Sequence, residues 1–191
     1  MTEIPVEAVA IGASAGAVQA LTRILPVLPE DYPLPVLVVV HVPPDRTNML
    51  VPHFQAKCRV QVREAEDKET IRGGVIYFAP PDYHLLVEGD RTVALSVDMP
   101  VLHSRPSIDV MFESAADAYG AALAGIVLTG ANQDGAAGLK AIVDAGGRAV
   151  VENPADAYAC AMPQAALEAC SAAKQMSLDD IASYLVSLGR T

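Results

Sequence analysis

The sequence predicts an α/β fold, a doubly wound, mostly parallel sheet flanked by helices, with a small antiparallel β excursion. Three observations carry that reading. Apolar runs rich in β-branched residues alternate with segments of helical spacing along most of the 191 residues, the pattern of repeated βαβ units. Residues 36–40 (Val-Leu-Val-Val-Val) and 123–129 are apolar nearly throughout, as strands covered by helices on both faces must be. Between residues 73 and 97, three short runs are separated by Pro80-Pro81-Asp82 and Gly89-Asp90, which signals hairpin-like turns instead of helices.

The elements follow in order. Residues 6–11 form the first strand, which Gly12 breaks. Gly16 opens a helix carrying Val18, Ala20, Leu21, Ile24 and Leu25 at helical spacing. Pro26, Pro29, Pro33 and Pro35 mark the loop to the second strand, residues 36–40, which ends at His41. Residues 49–56 make a short helix, 60–62 a third strand and 64–72 a charged loop. Residues 75–79, 84–88 and 92–96 are assigned together to the antiparallel excursion. After a loop over 98–106, Ser107 is the N-cap of a helix through Tyr119 whose face is Ile108, Met111, Phe112, Ala115 and Tyr119. A strand over 123–129, a loop over 130–135, a helix over 136–145, a strand over 148–151 and a helix over 162–169 complete the alternation. Ser177-x-x-Asp180 resembles a capping box before a last helix with Ile181, Tyr184, Leu185 and Leu188 inward. Repeats, low-complexity tracts and linkers are absent from the sequence, so residues 1–191 are expected to form one domain.

Composition narrows the function. A net charge of −10 argues against nucleic acid or an anionic membrane as partner. The longest apolar run, near residues 36–40, is far too short to span a bilayer, so no membrane insertion is expected. The N-terminus has no basic region followed by an apolar one, and Cys58, Cys160 and Cys170 are not closely paired. Reduced thiols and a cytoplasmic location follow as expectations. The cysteines show no zinc-type spacing, and neither a metal nor a cofactor is expected.

The chemistry centres on Gly12-Ala13-Ser14-Ala15-Gly16. As Gly-x-Ser-x-Gly at a strand-to-helix turn it matches a nucleophile elbow. As a Gly-rich turn before a helix N-terminus it matches a phosphate cradle, and a plain structural turn is the third reading. A dinucleotide site calls for an acidic residue at the end of the second strand, where this chain has His41. Ser14, His41 and Asp134 each follow the carboxyl end of a predicted strand, the rim where doubly wound sheets bind ligands. A serine needs a base, and a histidine base needs an acidic partner to fix its tautomer; the three supply those roles. Each has a plainer reading: Ser14 as a cap, His41 as a core histidine, Asp134 as the cap before Gly135. Arg105 is a substrate-orienting cation or a surface charge. His84 and His103 are expected in exposed loops.

Several segments together resemble the catalytic domain of the chemotaxis protein-glutamate methylesterase (CheB-type) family. They are Ile11-Gly12-Ala13-Ser14, His41-Val42-Pro43-Pro44, residues 74–84, His103-Ser104-Arg105-Pro106-Ser107-Ile108-Asp109, Leu128-Thr129-Gly130, Asp134-Gly135-Ala136-Ala137-Gly138 and Met162-Pro163. The resemblance covers almost the whole chain. It implies a serine hydrolase that removes methyl groups from receptor glutamates and releases methanol, with glutamine deamidation in some members. The family's nucleophile falls on Ser14, its base on His41 and its orienting acid on Asp134. The oxyanion would rest on backbone N–H groups near Ala15 or Ala131, with Arg105 toward the substrate. The implied partners are methylated cytoplasmic helices of chemoreceptors. Two stretches depart from the family pattern: Ala15-Gly16-Ala17 replaces Thr and paired glycines, and Gly130-Ala131-Asn132 replaces Gly-Met-Gly. The expected arrangement is a stand-alone catalytic domain without a receiver domain, regulated by a separate protein. A catalytically silent receptor-binding or scaffold domain is the alternative.

Overall fold

A computed structural model describes residues 4–42 and 49–190, so Pro43 and Pro44 of the His41 segment lie outside the described residues. The strands are Ala8–Ala13 (β1), Val36–Val40 (β2), Gln61–Glu64 (β3), Val75–Phe78 (β4), His84–Val87 (β5), Val93–Ser96 (β6), Leu123–Val127 (β7), Arg148–Glu152 (β8) and Lys174–Met176 (β9). The helices are Ala17–Ile24 (α1), Leu50–Gln55 (α2), Ile108–Tyr119 (α3), Ala136–Asp144 (α4), Ala161–Ala169 (α5) and Leu178–Leu188 (α6). Among the described residues, seven strands make one sheet in the order β3-β4-β2-β1-β7-β8-β9. Every neighbouring pair in it is parallel.

The predicted doubly wound sheet is therefore present, and the pleat explains its all-apolar strands. In β1, Val9, Ile11 and Ala13 enter a core shared with Leu21 and Ile24 of α1 and Ile181 and Leu185 of α6. Ala8 and Ala10 point into the opposite core, with Ile108 and Phe112 of α3, Leu139 of α4 and Met162 of α5. Both faces of β1, β2 and β7 are buried, which leaves no polar alternation to read. Each fully buried aliphatic side chain contributes roughly 1.5–3 kcal/mol of transfer free energy, so these two layers dominate the fold's stability. Ser107 caps α3 as expected, its Oγ accepting from Val110 N–H, and Ser177 Oγ accepts from Asp180 N–H at the start of α6.

Three expectations are corrected. Residues 75–79 do not belong to the antiparallel excursion: β4 lies in the main sheet, parallel to both β2 and β3. Among the strands of the described residues, β5 and β6 alone pair antiparallel. Short apolar runs of similar length look alike in sequence, and their sheet partner is chosen by which core they can fill. The polar edge strand β9 escaped the reading because three residues carry no period. Finally, Gly12 lies inside β1 instead of breaking it. A Cβ on Gly12 would stand 2.3 Å from Ile108 Cγ2, so the glycine lets α3 approach the sheet.

The chain steps from β1 through α1 to β2 on one side, and later returns to β7 on the other side of β1. This reversal of direction makes a crevice at the carboxyl ends of β1 and β7. Among the described residues, no helix is long and apolar enough to cross a membrane.

Candidate active site

Strand register brings the first two candidate residues together. Ala13 pairs with Val40, so Ser14 and His41 leave adjacent strand ends side by side. Parallel strands lie about 4.8 Å apart, and His41 N–H donates to Ala13 O at 3.3 Å. On the other flank, Ser14 N–H donates to Thr129 O at 2.9 Å, just past β7. Asp134, in the loop before α4, places Oδ2 at 2.8 Å from His41 Nε2. Ser14 Oγ makes no hydrogen bond to the imidazole among the described residues; backbone register alone sets it beside the His41–Asp134 pair.

Asp134 is completely buried and saturated with donors. Oδ1 accepts from Ser107 Oγ and Asp109 N–H, each at 2.9 Å, and Oδ2 accepts from Ile108 N–H at 2.7 Å as well as facing His41. Burial pushes its carboxyl up, but the hydrogen bond from His41 and those from Asp109 and Ile108 N–H outweigh it and hold Asp134 below the usual carboxylate range. A charged, buried carboxylate so fixed can orient the His41 ring and stabilise its protonated form. Asp134 thus caps α3, while Asp109, in the first turn of α3, caps α4 in return: its Oδ1 accepts from Gly135 and Gly138 N–H at 2.9 and 2.7 Å. Burial and the neighbouring Asp134 charge push the Asp109 carboxyl up to about 6. The two helices cross-cap through two acids, and the pair pins Asp134 in place.

His84 joins the same network, contrary to the expectation of an exposed loop. It opens β5, is 2 % exposed, accepts from Ser107 N–H through Nδ1 at 3.1 Å and donates from Nε2 to Met99 O at 3.1 Å. That arrangement fixes the Nε2–H tautomer.

The serine turn is held by backbone and by one threonine. Ser14 O accepts from Ala17 N–H at 2.9 Å, and Gly16 sits at φ 85°, ψ 4°, the third position of a type II turn, where glycine is favoured. Thr129 Oγ1 donates to Ala15 O at 2.8 Å and accepts from Ala159 N–H at 2.8 Å. Its own N–H donates to Glu152 Oε2 at 2.7 Å. Glu152 is buried, and burial is the main cause raising its carboxyl above the ordinary range.

With this geometry in view, the comparisons with known proteins are decisive. The sequence model of one family, CheB methylesterase, matches residues 9–185. The chain belongs to the CheB methylesterase family. A relative from Leptospira interrogans (strain Fiocruz L1-130), named a putative protein-glutamate methylesterase/protein-glutamine glutaminase, is 44% identical over 182 residues, covering 95% of this chain and 94% of its own. A relative from Archaeoglobus fulgidus, named a protein-glutamate methylesterase/protein-glutamine glutaminase, is 40% identical over 163 residues, covering 84% of this chain but 47% of its own. The crystal structure of the Thermotoga maritima CheB methylesterase catalytic domain superposes with a TM-score of 0.91 at 29% identity, over 97% of this chain and all of that one.

The remaining candidates of this CheB-family chain are placed less directly. Arg105 lines a cleft of about 370 Å³ together with His41, Asp82, His103 and Pro106. Its Nε and Nη2 donate to Asp82 Oδ1 at 3.0 and 2.6 Å, and Nη1 donates to Val97 O and Asp98 O at 2.8 and 3.0 Å. The guanidinium is therefore committed largely to the wall of the cleft. A wider groove of about 730 Å³, lined by Val101, Leu102, Ala136 and Ala165, contains neither Ser14 nor His41, so size does not mark the chemistry here. Ala15 is half-buried in the serine turn, and Ala131 is exposed two residues past Thr129 on the same rim. Among the described residues, no cluster of three His, Cys, Asp or Glu side chains could hold a metal. The sequence reading passed over His84, Asp109, Thr129 and Glu152. Asp109 was legible as an acid in the first turn of α3; the others carry no local signal, because their partners lie 15 or more residues away.

Proposed function

We propose that this chain hydrolyses the γ-methyl esters of protein glutamates, releasing methanol, and deamidates protein glutamines, with Ser14 as nucleophile, His41 as base and Asp134 as the orienting acid. The observation that carries the assignment is the 2.8 Å bond between His41 and a buried, ionised Asp134, beside a serine in register at the switch point of the sheet. Because Nε2 is engaged by Asp134, Nδ1 is the nitrogen that takes the serine proton. Ser14 Oγ attacks the ester carbonyl carbon, and the negative oxygen is received by backbone N–H groups near Ala15 or Ala131. Collapse breaks the ester C–O bond, with the proton on His41 passing to the departing methanol. Water, giving its proton to His41, then cleaves the glutamyl–serine ester and restores the enzyme. For a glutamine substrate the leaving group is ammonia, and the steps are otherwise the same.

Backbone donors supply the oxyanion stabilisation, so the alanines at positions 15, 17 and 131 do not remove it. Nothing in the structure favours the silent-scaffold alternative. Arg105, clamped to Asp82, shapes the substrate side of the cleft. In this reading the substrates are methylated cytoplasmic helices of chemoreceptors, the protein works in the cytoplasm, and residues 1–191 act as one catalytic unit. The test is methanol release from a methylated receptor fragment. Turnover by the wild type that disappears in Ser14→Ala supports the proposal, and equal release by both proteins defeats it.

A further inference from the structure

Three consecutive peptide planes around Ser14 are locked, and one residue locks two of them. Thr129 O accepts from Ser14 N–H, which fixes the Ala13–Ser14 plane. Ala17 N–H donates to Ser14 O, which fixes the Ser14–Ala15 plane. Thr129 Oγ1 donates to Ala15 O, which fixes the Ala15–Gly16 plane. In a trans peptide the N–H points opposite to the C=O, so holding these carbonyls also sets where the Ala15 and Gly16 N–H groups point. The Ala15–Gly16 plane is the central peptide of the turn, the one whose flip separates type I from type II, so it is the plane most in need of an external hold. Thr129 is itself 1 % exposed, and each of its three polar groups is used: N–H to Glu152, O to Ser14, and Oγ1, which accepts from Ala159 N–H and directs its one proton to Ala15 O at 2.8 Å, Ala159 O standing farther off at 3.3 Å.

We infer that Thr129 is a positioning residue of the reaction: its hydroxyl holds the Ala15–Gly16 peptide in the one orientation that presents the Gly16 N–H, beside the Ala15 N–H, to the oxyanion. The inference rests on the reading of Ser14 as nucleophile. It also accounts for a turn that works with alanine after the serine, because the hold comes from across the sheet and not from the turn's own side chains.

The test compares Thr129→Val, which keeps the shape and loses both hydroxyl bonds, with Thr129→Ser, which keeps both bonds. Wild type and Ser14→Ala are run beside them. Methanol release gives kcat and KM, and a fluorophosphonate probe gives a rate of Ser14 modification: the Oγ–P bond forms, the P–F bond breaks, and the serine proton passes to His41. Urea midpoints report folding. Removing one aligned oxyanion donor costs roughly 10²–10³-fold in kcat. Thr129→Val should therefore lose about 10²-fold in kcat and in probe rate with KM within about twofold, and Thr129→Ser should return to within about threefold of wild type.

A folded Thr129→Val with probe rate and kcat within about threefold of wild type overturns the inference while leaving Ser14 in place. A loss confined to KM, or one that serine does not rescue, overturns it too. If Thr129→Val does not fold, Thr129→Ala is read in its place, and failure of both to fold shows a folding determinant and overturns the positioning role. Absence of probe modification at Ser14 in the wild type, with methanol release unchanged in Ser14→Ala, brings down the underlying reading itself.

Discussion

The turn that enters α1 and the turn that enters α4 share their local build, a strand end, a short polar residue and a left-handed glycine at the helix N-cap, with Gly16 at φ 85° and Gly135 at φ 97°. They differ in what meets the helix N-terminus. At α4, Asp109 from the neighbouring helix accepts from Gly135 and Gly138 N–H. At α1 the N-cap residue has no side chain, and among the described residues no side chain accepts from the first turn. A helix start answered by an internal carboxylate is spent on structure, and one left to the rim can receive negative charge that develops during a reaction. The same turn therefore serves as an anchor for Asp134 in one place and as the seat of Ser14 in the other.

The largest expected effect is at the open turn. Ser14→Ala should lower kcat by about 10⁴-fold or more while leaving the urea midpoint close to wild type, because among the described residues Ser14 Oγ holds no structural hydrogen bond. Loss of folding on this substitution would break the distinction between an open and an anchored turn.

Asp134→Asn comes next and should hit both activity and stability. Loss of the charge facing His41 costs roughly 10⁴-fold in turnover in a comparable triad. Asn is no innocent replacement here, because both Asp134 oxygens accept from donors and an amide NH₂ would face Ser107 Oγ and Asp109 N–H, or Ile108 N–H and His41. A destabilisation of about 1–3 kcal/mol, read from the same urea titrations, should accompany the lost rate. A normal midpoint would mean that the acid does not anchor α3.

Asp109 sharpens the comparison through pH. Its folded value, about 6, lies above the ordinary 3.8, so the folded state holds the proton more tightly than the unfolded one. The contribution is most favourable below about pH 4 and is lost as the pH rises through 6, a change of up to about 3 kcal/mol. Asp134, held low, runs in the opposite sense and loses its contribution as the pH falls. Asp109→Asn keeps an acceptor for Gly135 and Gly138 but removes the charge, so its stability relative to wild type should improve between pH 4 and 7. A pH-independent difference would show that Asp109 does not carry its charge beside Asp134.

The smallest effects separate the two glycines. Gly16→Ala and Gly135→Ala each force a side chain into left-handed φ and should cost about 1–3 kcal/mol. The new Cβ would meet Tyr158 Cβ at 2.6 Å in the first and Ile108 Cγ2 at 2.9 Å in the second. Only Gly16→Ala should lower kcat beyond what its unfolding explains, since it disturbs the peptide planes beside Ser14. Equal kcat losses in the two variants would erase the difference between the turns.

Much of this molecule is determined by sequence alone. Helix-covered parallel strands must be apolar on both faces, so β1, β2 and β7 are legible from composition, and Ser107 and Ser177 mark helix starts because capping is a local act. The same logic puts Ser14, His41 and Asp134 on one rim, since each follows a strand end. Only the tertiary structure decided that β4 joins the main sheet, that Gly12 yields to Ile108, that His84 is buried against Ser107, and that Asp134 and Asp109 cap each other's helices. It also decided that Thr129 holds the Ser14 turn. Each of these depends on atoms brought together across tens of residues of chain. A close approach or a shared proton leaves no period, turn signal or local spacing by which it could be read in advance.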